Sequence, residues 1–375
     1  MKNKKIGVGI IGAGEGGWAV KSHIPALKRL NQQFEIVAVS TSDMKTARAS
    51  AEKYGIPNAF DNEYDLVKHP DVDLVVVAVK VPTHYHLVNT ALNGGKMVYC
   101  EWPLGNGTKE AKLLNDAALE KGIRNFSGLQ AHALPELKYL KDLLASGKIG
   151  KVLSTTIVGT GDNWGTSLPK ESMAYLLDSK NGANMMTIPF AQTMDGVEFM
   201  LGSFTEISAQ LAIRNDFVLI EETKQNVPML VNDQILLTGT LGNGVVCSVH
   251  YRGGASKSYN LYWQIKGSKG EVIITSPSGH LQFGKLELQA AFGDGPLEKL
   301  DIPHEYLPIE GGAPGANADL SRAVYYGYKE IVEGIANETE VFPSFKYAVK
   351  RHEFLDNLVT AADSGCRLTI KGDSL

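Results

Sequence analysis

The residues with the plainest chemical use are Gly12-Ala13-Gly14-Glu15-Gly16-Gly17, a G-x-G-x-x-G with glycines at 12, 14 and 17. A continuous apolar run, Ile6 to Ile11, precedes them, and a helix-like stretch, Trp18 to Leu30, follows. Strand, glycine turn and helix together aim free backbone N–H groups at a diphosphate. Gly12 permits the tight turn, Gly14 lets the backbone approach the phosphates, and Gly17 lets helix and strand pack closely. A dinucleotide is the expected ligand. His84 and His86 have a metal-like spacing, but no carboxylate or cysteine nearby completes a ligand set, so the expectation is no metal. Cys100, Cys247 and Cys366 are scattered, with no CxxC, and read as reduced thiols.

The elements that must position these residues alternate along the first third of the chain. Strands are expected at 35–40, 73–79, 96–100 and 125–128 besides the first. Helices are expected from Asp43, as N-cap, to Tyr54, then from His84 to Asn93, and from Thr108, again as cap, to Lys121. Repeated βα units predict a doubly wound parallel sheet over residues 1–128. From 129 to 375 the pattern changes. A helix at 135–146 is followed by runs of strand character at 152–159, 204–213, 233–240, 245–251, 259–267 and 271–275. Asn243-Gly244 marks a hairpin turn between two of them. This predicts an α+β domain with a large open mixed or antiparallel sheet, a helix at 181–201 packed on it, and loops over 277–318. Helices at 320–337 and 345–363, able to pack back on the first domain, and a short strand at 367–371 complete the reading.

Composition limits the function classes. The chain has 375 residues, 43% hydrophobic and 21% charged, which suits a globular protein and argues against disorder or coiled coil. A net charge of −4 argues against a nucleic-acid footprint. No apolar run reaches the roughly 20 residues of a membrane helix. The charged start Met1-Lys2-Asn3-Lys4-Lys5 runs straight into the first strand and its glycine turn, so it reads as part of the fold and the expected location is the cytoplasm.

Three motifs stand in order: the glycine turn, Val81-Pro82-Thr83-His84-Tyr85-His86, and Gly95 to Pro103 with its Glu101-Trp102-Pro103 end. Together they resemble the glucose-fructose oxidoreductase, inositol dehydrogenase and MocA (Gfo/Idh/MocA) family over nearly the whole chain. Gly17 to His23, Glu101-Trp102 and the stretch from Asn181-Gly182 to Asp195 resemble the branch of that family that holds the fungal galactose-pathway repressor. The resemblance implies a nucleotide domain and an open-sheet domain whose outer face builds homodimers or homotetramers. It also implies a cofactor site of Gly12, Gly14, Glu15, Gly16, Gly17, Trp18, Thr41, Ser42, Val79, Lys80, His84, His86, Glu101, Trp102 and Pro103. A substrate pocket would take His132, Asp162, Trp164, Lys170 and Gln192.

The family's acid/base residues are a lysine in a Glu-Lys-Pro loop and a later Asp-x-x-x-His. By resemblance these positions fall here on Trp102, Ile188 and Gln192, none of which exchanges protons near neutrality. Lys80, at the carboxyl edge of a strand, is the leading substitute, with Tyr175 second. The family's ribose-binding Asp falls on Thr41. Without a carboxylate there a 2′-phosphate is tolerated, held by Ser42, Lys45 and Arg48, and NADP is expected ahead of NAD. Asp43 counts against this, but as a helix cap it has another job. The primary reading is an NAD(P)-dependent oxidoreductase of a sugar-like or small polyol or ketone substrate. Two alternatives stay open: a non-catalytic, dinucleotide-binding regulator with a protein partner, and a redox-neutral enzyme that recycles its cofactor.

Overall fold

The computed structural model describes residues 4–283, 285–307, 320–340 and 342–370. The first sheet is built of short strands, apolar runs in β1 (Ile6–Ile11), β4 (Leu74–Val77) and β5 (Met97–Cys100) and more mixed in β2 (Phe34–Ser40), β3 (Asn58–Phe60) and β6 (Asn125–Ser127). They lie in the order β3-β2-β1-β4-β5-β6, every neighbouring pair parallel. The order reverses between β1 and β4, and such a switch point opens a crevice at the carboxyl ends of the strands. All four residues of β4 are buried, as a strand covered on both faces requires. The crossovers carry α1 (Ile24–Arg29), α2 (Met44–Tyr54), α3 (Glu63–Lys68), α4 (His84–Asn93) and α5 (Thr108–Glu120).

Three local expectations change here. A π-helical turn, Ala19–His23, precedes α1, so the first helix is not uniform. Gly107, at φ +93°, is the N-cap of α5, and Thr108 is its first helical residue. The segment with β3 and α3 had no predicted element; Asn62 caps α3 by accepting from the Asp65 N–H at 2.9 Å.

The second half builds around α6 (Pro135–Ala145), β7 (Val152–Gly161), α7 (Ala191–Leu201), β9 (Phe204–Ala212), β12 (Gln234–Leu241), β13 (Val245–Gly253), β14 (Leu261–Gly267) and β15 (Gly270–Ser276). With β16 (Glu287–Phe292), β17 (Glu298–Lys299) and β18 (Leu368–Thr369) these strands form a nine-stranded sheet, β17-β16-β15-β14-β7-β13-β12-β9-β18. Only the central β7–β13 pair is parallel. The β12–β13 hairpin turns at Asn243-Gly244, where Gly244 takes φ +78°. A three-stranded sheet, β8 (Ser167–Leu168), β10 (Phe217–Ile220) and β11 (Gln225–Pro228), was not expected.

The helix predicted to begin at 181 begins later. Gly182, at φ +65°, closes a short 3-10 turn, and a π-helical turn, Met186–Phe190, leads into α7. The predicted loop over 277–318 contains β16, where Leu288 and Ala290 alternate inward and pair along β15; residues 308–318 lie outside those described. Lys371 of the predicted last strand lies outside them too.

The described residues divide into two compact units. The first runs to Ala133 and resumes through α8 (Arg322–Asn337) to His352; the second takes the residues between and those after. In the first unit Tyr325, Tyr326, Tyr328 and Ile331 of α8 join the core of β1, β2 and α1. A further helix, α9 (Phe345–Ser364), begins in the first unit and ends in the second.

Candidate active site

At the end of β1 the glycine turn has the shape a diphosphate needs. Gly12 takes φ +100°, and a Cβ there would lie 2.4 Å from the Ala78 carbonyl oxygen. The Gly17 N–H donates to the Gly14 carbonyl at 3.0 Å, and a Cβ at Gly17 would meet that oxygen at 3.0 Å. Around Gly14 and Gly16 the space is open: a Cβ at Gly14 would find its nearest neighbour at 3.9 Å and one at Gly16 nothing within 4 Å. The turn therefore fits a dinucleotide diphosphate, held by backbone N–H groups. Glu15 points outward to Lys53, 3.4 Å away, and Trp18 packs half-buried against the core.

At the end of β2, Thr41 Oγ1 donates to the Asp43 carbonyl at 2.8 Å. The Asp43 carboxylate accepts from the Thr46 hydroxyl at 2.7 Å and the Thr46 N–H at 2.8 Å. These bonds, the hydroxyl's first, hold its carboxyl below the usual range. Asp43 is thus engaged in capping α2, and Ser42 is exposed beside it. A hollow of about 280 Å³ opens between the turn and α2, lined by Ala13, Glu15, Lys45, Thr46, Ser50 and Lys53 among others.

The loops after β4 and β5 are tied to each other. His84 is fully buried, with Nδ1 2.8 Å from the Pro103 carbonyl and Nε2 3.1 Å from the Val79 carbonyl; burial pushes its pKa down. Lys80 is exposed, and its carbonyl accepts from the Thr83 N–H and hydroxyl. His86 lies 2.6 Å from Glu63 of α3. The Trp102–Pro103 peptide is cis.

Beneath Glu101 lies a cluster that sequence reasoning missed. His23, fully buried, places Nε2 2.9 Å from Glu101 Oε1 and Nδ1 2.8 Å from the Tyr328 hydroxyl. The Nε2–H tautomer donates to the carboxylate and leaves Nδ1 to accept from the phenol. The Gln130 amide donates to both Glu101 oxygens, at 2.8 and 3.0 Å. His23 and Tyr328 are far apart in the chain, so no local pattern links them.

Trp102 is buried, its ring 4.6 Å from that of His352 at the start of α9. Burial, then the neighbouring His84, pushes His352 down to about 4. After β6, His132 Nε2 lies 3.3 Å from the Tyr347 hydroxyl.

The second unit holds the other candidates. Asp162 is exposed; Thr160 Oγ1 donates to it at 3.4 Å, and partial burial raises its carboxyl pKa. Trp164 is 1% exposed and donates its N–H to the Leu176 carbonyl at 3.0 Å, so it packs inside the unit rather than lining an open pocket. Tyr175 sits half-buried on the 3-10 turn Glu171–Leu177, its phenol raised by burial, with Lys170 exposed just before that turn. Gln192 is buried on α7. Among the described residues no group of three metal-capable side chains occurs, and no helix is long and apolar enough to cross a membrane.

Comparison with known proteins is consistent with this layout. Residues 6–128 match the oxidoreductase family with an NAD-binding Rossmann fold, and residues 135–276 match the C-terminal domain of Gal80p. The galactose/lactose metabolism regulatory protein GAL80 of Saccharomyces cerevisiae is 30% identical over 302 residues, 76% of this chain and 69% of that protein. Dehydrogenase aclE of Aspergillus oryzae is 29% identical over 377 residues, 97% of this chain and 98% of that protein. Among solved structures, a super-repressor mutant of S. cerevisiae Gal80p superposes with a TM-score of 0.89 at 25% identity, covering 98% of each chain. A levoglucosan dehydrogenase bound to NADH and levoglucosan reaches 0.82 at 20% identity, covering 98% of this chain and all of that one, a likeness of fold.

Proposed function

Because the chain belongs to the Gfo/Idh/MocA oxidoreductase family, in the branch with a Gal80-type C-terminal domain, we propose that it is an NAD(P)-dependent oxidoreductase of a sugar-like or small polyol or ketone substrate. The observation that carries the reading is that a cation, Lys80, and an imidazole, His132, stand just after β4 and β6, at the carboxyl edge where α/β sheets bind their ligands. The nearly end-to-end match to a dehydrogenase adds support.

The cofactor, when bound, supplies the acceptor or donor of hydride. The chain's own residues hold and orient. The turn from Gly12 to Gly17 binds the diphosphate through N–H groups. Thr41 and Ser42, with Lys45, leave room and positive charge for a 2′-phosphate, since Asp43 is committed to Thr46. NADP is therefore the preferred form. His84 fixes the loops carrying Lys80 and Trp102, and the His23–Glu101–Gln130 cluster fixes the backbone before Trp102. Lys80 is assigned to orienting the substrate oxygen as a point charge. The outer face of the nine-stranded sheet, with exposed Leu236 and Val246, is assigned to a homodimer or homotetramer contact. The free thiols Cys100, Cys247 and Cys366 suit the cytoplasm.

A second reading is a regulator that binds dinucleotide and a protein. Trp102 at the place of the family's lysine, and the 30% identity to GAL80, favour it. Calorimetry with NADPH, NADP, NADH and NAD, then a carbonyl and polyol panel, separates the two. The enzyme reading expects tight NADPH binding and turnover that Lys80→Ala weakens. Binding without turnover supports the regulator, and no dinucleotide binding overturns both.

A further inference from the structure

We propose that Tyr347 is the group that gives and takes the substrate's hydroxyl proton in this chain, with His132 and Arg351 positioning and charging it. The proposal rests on the oxidoreductase reading above. Trp102 exchanges no proton, so the chemistry needs a donor on a neighbouring element. That element is the first turns of α9. His352 covers the Trp102 ring from there, at 4.6 Å between centroids. Arg351 is the residue before it, and Tyr347 lies one helical turn earlier, at the i, i+4 spacing that puts two side chains on one face.

The phenol is prepared for proton transfer by two contacts. His132 Nε2 lies 3.3 Å from the Tyr347 hydroxyl, the two rings edge to face at 5.2 Å. The Arg351 guanidinium carbon lies 5.2 Å from the centre of the Tyr347 ring, where a cation favours the phenolate. Both partners are firmly placed. The Phe345 N–H donates to the Asn125 side chain at 2.7 Å, and the Ser127 N–H donates to the Pro343 carbonyl at 2.7 Å, so the start of α9 is clamped to β6. His132 follows Gln130 by two residues, and Gln130 is bonded to Glu101 beside Trp102. The pair therefore lies at the carboxyl edge of β5 and β6.

In the reducing direction the substrate's carbonyl carbon gains a hydride from the reduced dinucleotide and the C=O π pair moves to oxygen. That oxygen takes the proton of Tyr347 Oη, and the phenolate regains one from His132 Nε2–H as Nδ1 of the same ring takes one from solvent. One carbonyl, one hydride and one proton give one alcohol. In the oxidising direction each transfer reverses.

Two measurements test this. The first is ¹⁵N-histidine NMR of the cofactor-free protein: Tyr347→Phe moves the His132 Nε2 resonance and leaves that of His280 in place. The second is turnover of a panel ketone with NADPH: Tyr347→Phe lowers kcat by about 100-fold or more, as loss of a general acid does. KM and NADPH affinity stay within about threefold, the split expected for an interaction made only in the transition state. A thermal melt near the wild type's excludes loss of the fold. Turnover by the variant within threefold of the wild type, or an unmoved His132 resonance, overturns the proposal and leaves the oxidoreductase reading standing. A wild type that binds NADPH and reduces nothing on the panel overturns that reading and this role with it.

Discussion

β4 and β13 show how differently the two units solve the same burial problem. In β4, Leu74, Val75, Val76 and Val77 are all fully buried, so every side chain is core and chemistry is left to the loops at the strand ends. In β13, Val245, Cys247, Val249 and Tyr251 face inward, while Val246 is 61% exposed and Ser248 and His250 are half-buried on the other face. One sheet exports function to its edge and the other offers a face. The candidate cofactor residues accordingly come in short motifs, whereas the second unit's candidates are spread over turns and a buried helix.

The largest effect tests the inner face of the second sheet. Trp263→Ala removes a fully buried ring and the N–H bond to Thr155 at 2.8 Å, and destabilises by about 4 kcal/mol in chemical denaturation. A loss below about 1 kcal/mol would mean that this face is not a packed core. Gly12→Ala comes next: positive φ and a Cβ 2.4 Å from the Ala78 carbonyl cost about 3 kcal/mol and abolish NADPH binding by calorimetry. Normal binding in this variant would break the claim that the strand edge holds the cofactor. His23→Leu leaves Tyr328 unpaired and Glu101 with Gln130, and costs about 2 kcal/mol in the same assay.

Acid should weaken both units. Burial pushes His280 in the second unit and His352 in the first down to about 4. Above about pH 6.5 both are neutral folded and unfolded, and they add no pH dependence. As pH falls from there toward about 4 only the unfolded chain takes up these protons, so stability declines across that window. His280→Gln flattens part of the decline in melting temperature, and an unchanged slope would contradict the burial argument. The smallest effect is on the open face: Val246→Thr changes the stability of the monomer by less than about 0.5 kcal/mol.

Most of the parallel sheet was legible because β1, β2, β4 and β5 are largely apolar runs and α2 is bounded by Asp43 and Gly55, whereas β3, Asn-Ala-Phe, is too short and polar to read as a strand. The glycine turn was legible because its spacing is local. β16 was hidden by the glycines and prolines around it, and its pairing with β15 is a tertiary choice that propensity does not state. The π-helical turns before α1 and α7 were invisible because their sequence still reads as helix. His23, Tyr328, His352 and Tyr347 escaped notice because their partners lie on distant elements. Trp164, expected in a pocket, is an interior residue, since an aromatic near a turn reads the same in either role.

The central claim is that this fold still moves hydride. The most direct measurement is NADPH oxidation at 340 nm by the purified protein across a panel of sugar-derived and simple ketones, with binding measured in parallel. The account predicts tight NADPH binding and substrate-dependent oxidation. Tight binding with no oxidation on any ketone, and no reduction of NADP by the matching polyols, would contradict it.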